Sequence, residues 1–321
     1  MKKFAVLTSG GDAPGMNACI RAAVRYGIYS GYQVYGVERG YEGLINNDIY
    51  ELYPRSVSDI VQRGGTSIKT ARSPKFRKPE VVKAAVNNLK ERGIDSLIVI
   101  GGDGSFRGLK DMVDLCGYNA VGIPGTIDND LAYTDYTLGF DTAVNTVLDA
   151  INKVRDTMTS HDRVMIIEVM GRECGDIALY AAVAGGAEYV VVPELPLDTD
   201  AIADGITASN KRGKTSNMIL LAEGCADKKD ELIEKIQART QKTAHYTKLG
   251  YIQRGGTPSM FDRLLAARMA VHAVDLLSKG KGGRLVGVCD NKIIDKDVSE
   301  ALAMKRVIDK NLYRISQILS L

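Results

Sequence analysis

The feature that most constrains this chain is a repeated order: a short apolar run, a glycine-bearing loop, then a helical stretch. Phe4–Leu7 leads through Thr8–Gly15 into a helix over about Met16–Tyr29. Ser96–Ile100 leads through Gly101–Ser105 into a helix reaching about Leu115, and Ala120–Ile123 ends at Pro124-Gly125. Apolar runs of four to eight residues bounded by such breakers read as buried strands. Further strands are expected at Gln33–Val37, Arg163–Val169, Tyr189–Val192, Asn217–Ala222 and, last, Arg284–Cys289. Helices are expected over Pro79–Arg92, Asp141–Met158, Thr199–Lys211 and Ser259–Lys279, with a short polar helix before Gln62. Strands alternating with helices mean parallel-rich sheets flanked by helices, an α/β fold. At 321 residues the chain exceeds what one hydrophobic core usually serves, so two domains are expected. No low-complexity linker marks the boundary.

Composition narrows the function classes. Apolar residues are 45% and charged residues 25%, ordinary for a globular chain. A net charge of +3 gives no argument for nucleic acid or membrane as a partner. The five cysteines are scattered and form no C-x-x-C pair, so neither a disulfide framework nor a zinc site is indicated. Met1-Lys2-Lys3 runs straight into a strand, which gives the expectation of no secretory signal and a cytoplasmic protein. The longest apolar stretch, Ile177–Ala187, is too short to span a bilayer.

The chemistry-bearing residues fall in loops at strand C-terminal ends, where parallel sheets bind ligands. A glycine-rich loop entering a helix presents backbone N–H groups at the positive end of a dipole, which suits phosphate as well as a plain tight turn. Asp103, flanked by Gly101, Gly102 and Gly104, is a candidate magnesium ligand beside such a loop. In Pro124–Asp130, extended backbone would point Asp128 and Asp130 the same way. That pair suits a proton acceptor plus a metal holder; the alternative is a solvated turn. The pentapeptide Gln-Arg-Gly-Gly-Thr occurs at Gln62–Thr66 and again at Gln253–Thr257, placing arginines beside paired glycines. Nothing suggests a covalent intermediate, since no activated serine or cysteine stands beside a histidine. Phosphoryl transfer needs this inventory, because its catalysis is mostly positioning, charge neutralisation and one proton acceptor.

The segments Leu7–Asn17, Gln62–Thr66 with Thr70–Arg72, Ile100–Ser105, Gly122–Asp130, Glu168–Asp176, Ala222–Gly224 and Gln253–Pro258 resemble, in this order, bacterial ATP-dependent 6-phosphofructokinases. The resemblance runs from Met1 to about Asp290. It implies two Rossmann-like domains, residues 1–138 plus 252–304 binding ATP and 139–251 plus 305–321 binding fructose 6-phosphate. It implies transfer of the γ-phosphate of ATP to the sugar 1-hydroxyl in a homotetramer that uses magnesium. By the same resemblance Asp128 is the base, Thr126 and Asp130 position the transferring group, and Arg172 is the transition-state cation. Gly11, Arg72, Gly102, Gly104 and Ser105 match the ATP site, Arg72 also serving the catalytic step, and Asp103 matches the magnesium residue. Met170, Gly171 and Glu223 match the sugar site. Arg163 and Arg254 resemble 6-phosphate arginines, Arg163 reaching in from a neighbouring subunit. Arg21, Arg25, Arg155, Glu188, Arg212 and Lys214 match an effector site for ADP or phosphoenolpyruvate.

Two positions depart from the pattern. His245 stands where the family has an arginine and Tyr251 where it has a histidine, both in the sugar-phosphate site. A small shift in register would instead bring Arg239 or Lys242 to the arginine's place. One effector-site arginine falls on Pro54, next to Arg55. Two rival readings are a diphosphate-dependent enzyme and a diverged regulatory subunit. The diphosphate branch carries an aspartate in place of Gly104 and a lysine in place of Gly125.

Overall fold

A computed structural model describes residues 2–320. Its contacts divide the chain into two units. Unit 1 comprises the chain up to Ile127, Leu131–Thr142 and Arg254–Arg306; unit 2 comprises Asp128–Asp130, Ala143–Gln253 and the chain from Val307.

Unit 1 begins with β1 (Lys3–Ser9), α1 (Met16–Tyr29), β2 (Gln33–Val37), α2 (Gly40–Asn46) and β3 (Ile49–Leu52). It continues with α3 (Pro79–Glu91), β4 (Ser96–Gly101), α4 (Asp103–Cys116) and β5 (Asn119–Pro124). After the chain returns it adds α9 (Met260–Ser278), β10 (Arg284–Cys289), β11 (Lys292–Asp297) and α10 (Val298–Ala303). The sheet order is β11-β10-β5-β4-β1-β2-β3. The five central strands are parallel, and the two edges, β3 and β11, are antiparallel. Alternate residues face opposite sides of a strand. Ala5, Leu7, Leu97, Val99 and Ala120 therefore point together into one core, with Leu44, Val86, Leu89, Phe106 and Leu109 of α2, α3 and α4. Phe4, on the other parity of β1, abuts Gly27 of α1, where a Cβ would lie 2.5 Å from its ring.

Unit 2 contains the body of α5 (Phe140–Thr159), then β6 (Val164–Val169), α6 (Asp176–Gly185), β7 (Tyr189–Val191) and α7 (Thr199–Lys211). It goes on with β8 (Asn217–Ala222), α8 (Lys229–Thr240), β9 (Ala244–Lys248) and the closing α11 (Lys310–Leu319). Its sheet, β7-β8-β6-β9, is parallel throughout. Val164, Ile166, Ile219, Leu221 and Ala244 pack on Ala203, Ile206, Leu232 and Ile236 of α7 and α8.

Apart from one short helix, the strands and helices expected in both units are present within two residues, and the α/β architecture is as expected. Residues 54–62 are turns, not the short polar helix expected there. Arg284–Cys289 is not the last strand, because Lys292–Asp297 pairs back on it. Among the described residues no helix is long and apolar enough to cross a membrane.

The start of α5 is fixed within unit 1 by Asp262 of α9, which is wholly buried. Its carboxylate accepts from Gly139 N and Thr142 N at 2.9 Å each, and from the Thr142 hydroxyl. Burial pushes its pKa up to about 6, and the bonds it accepts pull the other way without cancelling that shift. With a folded-state value above the unfolded one, the folded chain holds this proton more tightly, so Asp262 adds stability as pH falls from about 7 to 4. Asp262→Asn should destabilise the protein, and its deficit against wild type should shrink as pH rises from 4 to 7, by up to about 3 kcal/mol. Denaturant unfolding across that range tests it; a deficit that widens with pH would mean the accepted bonds outweigh burial.

Candidate active site

In unit 1 three loops leave neighbouring strands at their C-terminal ends. The loop after β1 turns through Gly10 at φ 89°, the loop after β4 starts α4 at Asp103, and the loop after β5 carries Gly125 and Thr126. Gly125 N donates to Gly101 O at 2.9 Å. Gly101 admits no side chain, since a Cβ would lie 2.5 Å from Ser105 Oγ and 2.6 Å from Ser9 O. At Gly125 a Cβ would lie 2.9 Å from Ile100 and 3.0 Å from Met16. Gly104, in the first turn of α4, has nothing within 4 Å of its Cβ position and is open. Ser105 is buried, Gly102 faces Thr126, and the Thr126 carbonyl accepts from the Thr137 hydroxyl at 2.7 Å.

The two Gln-Arg-Gly-Gly-Thr copies meet: a Cβ on Gly64 would overlap Gly256 O. The first copy is bound over the β1 loop by Asn17, whose amide donates to Arg63 O and Gly64 O at 3.1 Å and accepts from Ser67 N at 2.7 Å. Arg72, two residues beyond Thr70, is exposed. Arg254, matched above to a 6-phosphate arginine, lies within unit 1 over Gly11 and donates to Asp12 O at 3.2 Å.

Asp103 is paired with Arg107 one turn along α4, at 2.8 and 3.1 Å, and is 44% exposed. An exposed pair of this kind is worth little, so it does not bar a cation. One carboxylate beside backbone amides matches how magnesium is held when phosphate oxygens supply its other ligands. Asp103 therefore fits the ion the sequence suggested.

In unit 2 the residues 128–130 meet the loops after β6 and β8. Asp128 is 2% exposed, and its Oδ2 lies 3.3 Å from Arg172 Nε. Arg172 N donates to Glu223 Oε2 at 3.1 Å, and Met170 N to Gln253 Oε1 at 3.2 Å. Gly171 adopts φ 138°, where a Cβ would overlap Cys174 O, and Arg172 follows at φ 53°. Asp130 is half-buried. The argument that extended backbone aligns Asp128 with Asp130 does not hold, because Asn129 between them is left-handed at φ 52°. Its side chain donates to buried Asp176 of α6 at 2.9 Å, and the Cys174 thiol reaches its carbonyl at 3.9 Å.

Two other residues matched above to the sugar site lie elsewhere in unit 2. Arg163 precedes β6, and His245 pairs with Met165 near the start of the sheet. Both are at the end opposite Met170, Arg172 and Glu223, so one chain does not bring them to those loops. Tyr251 is 84% exposed in the turn after β9. Of the alternatives to His245, Arg239 pairs with Asp200 and Asp204, and Lys242 binds Asn210 Oδ1 at 2.9 Å and Thr215 O.

The effector-type residues of unit 2 gather at its β7 side. Lys214 Nζ lies 3.0 Å from Glu188 Oε1, and Glu188 Oε2 accepts from Met218 N at 2.6 Å. Arg155 caps the carboxyl end of α6 by donating to Gly185 O and Gly186 O at 2.6 and 2.9 Å. Arg212 ends α7 near Tyr189. Glu188 also lines a cavity of about 360 Å³ beside Tyr189, Leu197 and Tyr313. Arg21 and Arg25 are one turn apart on α1 of unit 1.

Residue spacing did not reveal Asn129, Asp176, Asn17 or Gln253. Only Asn129 carried a signal, since asparagine is among the few residues that tolerate the left-handed region.

Glycine-rich strand exits, a buried carboxylate beside an arginine and a carboxylate suited to magnesium define an α/β protein built to receive phosphate groups. A sequence profile described as phosphofructokinase matches residues 3–277. The chain is 56% identical over 320 residues to ATP-dependent 6-phosphofructokinases of Clostridium tetani and Clostridium acetobutylicum, covering all of each. The solved phosphofructokinase of Saccharomyces cerevisiae superposes with a TM-score of 0.87 at 34% identity, over all of this chain and 48% of that one. A pyrophosphate-dependent phosphofructokinase from Marinobacter aquaeolei shares the fold, with a TM-score of 0.84 at 19% identity over all of this chain and 91% of that one. The chain belongs to the phosphofructokinase family.

If Asn129 holds its turn by a left-handed backbone as well as by its amide, the two contributions separate in a pair of variants. Asn129→Gly should lose the side chain's bonds, that to Asp176 among them, but keep the left-handed backbone, while Asn129→Ala also carries the left-handed strain, about 1 kcal/mol. Thermal unfolding should therefore rank alanine below glycine; the reverse order would assign the turn to the side chain alone.

Proposed function

We propose that this chain transfers the γ-phosphoryl group of ATP to the 1-hydroxyl of fructose 6-phosphate, giving fructose 1,6-bisphosphate and ADP. The observation that carries the reading is Asp128, a buried carboxylate facing Arg172 two residues beyond Thr126, in a chain whose full-length relatives bear that activity's name. The 1-hydroxyl oxygen forms a bond to the γ-phosphorus, the bond from that phosphorus to the ADP oxygen breaks, and the hydroxyl proton passes to Asp128. Arg172, beside Asp128, offsets charge on the transferring group. Thr126 and Asp130 orient that group.

Gly11, Gly102, Gly104, Ser105 and Arg72 receive the nucleotide. Magnesium held by Asp103 would neutralise phosphate charge. Met170, Gly171, Glu223 and Arg254 hold the sugar phosphate. Arg163 and His245, at the opposite end of their sheet, serve a neighbouring subunit in a homotetramer. Arg21, Arg25, Arg155, Glu188, Arg212 and Lys214 form the effector site for ADP or phosphoenolpyruvate. The reaction runs in the cytoplasm.

ATP rather than diphosphate follows from two glycines. An aspartate at Gly104 would put like charge where the nucleotide's α-phosphate goes, and a lysine at Gly125 would have to displace Ile100 and the end of Met16. Purified protein should turn over ATP with fructose 6-phosphate and not diphosphate; efficient use of diphosphate would overturn the reading. Gly104→Asp should raise the KM for ATP more than about tenfold, equivalent to 1.4 kcal/mol, and leave thermal stability near wild type, since the position is open.

Asp128→Ser should lower kcat by about 100-fold to 10,000-fold with little change in KM for fructose 6-phosphate, because the lost proton transfer matters in the transition state. Retention of a tenth or more of wild-type turnover would assign the base elsewhere.

A further inference from the structure

Lys248, the last residue of β9, stands among the strand exits that carry Met170, Arg172 and Glu223. The parallel register sets Lys248 opposite Glu168, and Glu168 opposite Leu221, so the three share one face of the sheet. Glu223 follows two residues after Leu221. Gln253 ties the turn after β9 to the exit of β6 through Met170. His245, the other basic side chain on β9, is three residues back, roughly 10 Å down the strand.

Glu168 is unusual where it lies. It continues the parity of Val164 and Ile166, which face an apolar core, and it is 2% exposed. The Tyr246 hydroxyl donates to one of its oxygens, and Lys248 Nζ lies 2.7 Å from the other. An apolar residue of similar size would usually serve stability as well as a buried carboxylate, so stability alone does not account for Glu168. The Lys248 side chain stays 56% exposed. An ammonium has three N–H groups, and Glu168 occupies one. Glu168, and to a smaller degree Glu223, hold the Lys248 pKa above its usual value, so the charge persists at any working pH.

We infer that Lys248 is a substrate contact: Glu168 fixes its ammonium at the C-terminal end of β9, and its remaining N–H groups receive the phosphate of the sugar phosphate. Tyr246 holds Glu168 from the other side. This rests on the function proposed above and adds a binding residue to it.

The competing role is neutralisation of Glu168 alone, and a double variant separates the two. Lys248→Met should raise the KM for fructose 6-phosphate about tenfold, the worth of one charge-assisted bond, with kcat and the KM for ATP within about twofold. It should also lower the Tm, because Glu168 keeps a buried charge without its cation. Lys248→Arg should return KM to near wild type. The double variant Glu168→Gln/Lys248→Met removes both charges, so Tm should recover while KM stays raised. A KM that recovers with Tm, or that never moved, overturns the inference. Calorimetric binding of fructose 6-phosphate without nucleotide, compared between wild type and Lys248→Met, keeps the readout independent of turnover. Equal binding by the two defeats Lys248 alone. Binding by wild type without turnover defeats the kinase reading and leaves the Lys248 comparison intact, while no binding by wild type overturns both.

Discussion

A carboxylate taken out of water must find compensation inside the protein or lose its charge. At Asp128 that constraint organises the surrounding loops of unit 2. The guanidinium of Arg172 answers it only because Gly171 adopts a conformation closed to other residues and Arg172 itself turns left-handed. Glu223 accepts the Arg172 amide, and Gln253 accepts the Met170 amide one turn earlier. On the other side, Asn129 reverses the chain and is held by Asp176 at the head of α6. One ion pair thus fixes the exits of β6 and β8 and the start of α6. Removing the Arg172 charge would take an opposite charge from beside a buried carboxylate, so charge and local stability are coupled there.

Much of this was legible in the sequence. Period, glycine punctuation and run length gave nearly every central strand and its helix, because buried parallel strands are uniformly apolar and must be broken by something. The edges were harder. β3 and β11 are antiparallel additions with mixed polarity, and β9, with His245, Tyr246 and Lys248, does not look like a buried strand at all. α8 is strongly polar because only Leu232 and Ile236 are fully buried, with Ile233 packing at the edge of the core.

At the candidate site, spacing singled out Asp128, Asp103 and the loops, but not their relations. The left-handed Asn129 removes the alternation that would have paired Asp128 with Asp130. His245 was grouped with Glu223 by resemblance, whereas the strand register sets them at opposite ends of one sheet. The glycines of the repeated pentapeptide looked like anion ligands, yet Gly64 is needed for contact between the two copies themselves. Spacing along a chain reports which groups are present; register and backbone sign decide which of them meet.

The route of the chain also bears on how it becomes a protein. β5 lies inside the sheet of unit 1, but its partner β10 is made about 160 residues later, after almost all of unit 2. Until that return, β5 has an open edge, and the buried face of α1 lacks the α9 segment that packs on it. Unit 2 has its four strands in one continuous stretch and lacks only its closing helix α11. During synthesis unit 2 can therefore reach its sheet first, while the earlier-made strands of unit 1 wait with an unpaired edge. Pairings of such long sequence separation fold slowly and leave strand edges open to other chains. The later third of the chain thus governs both the folding rate and the aggregation risk of the first.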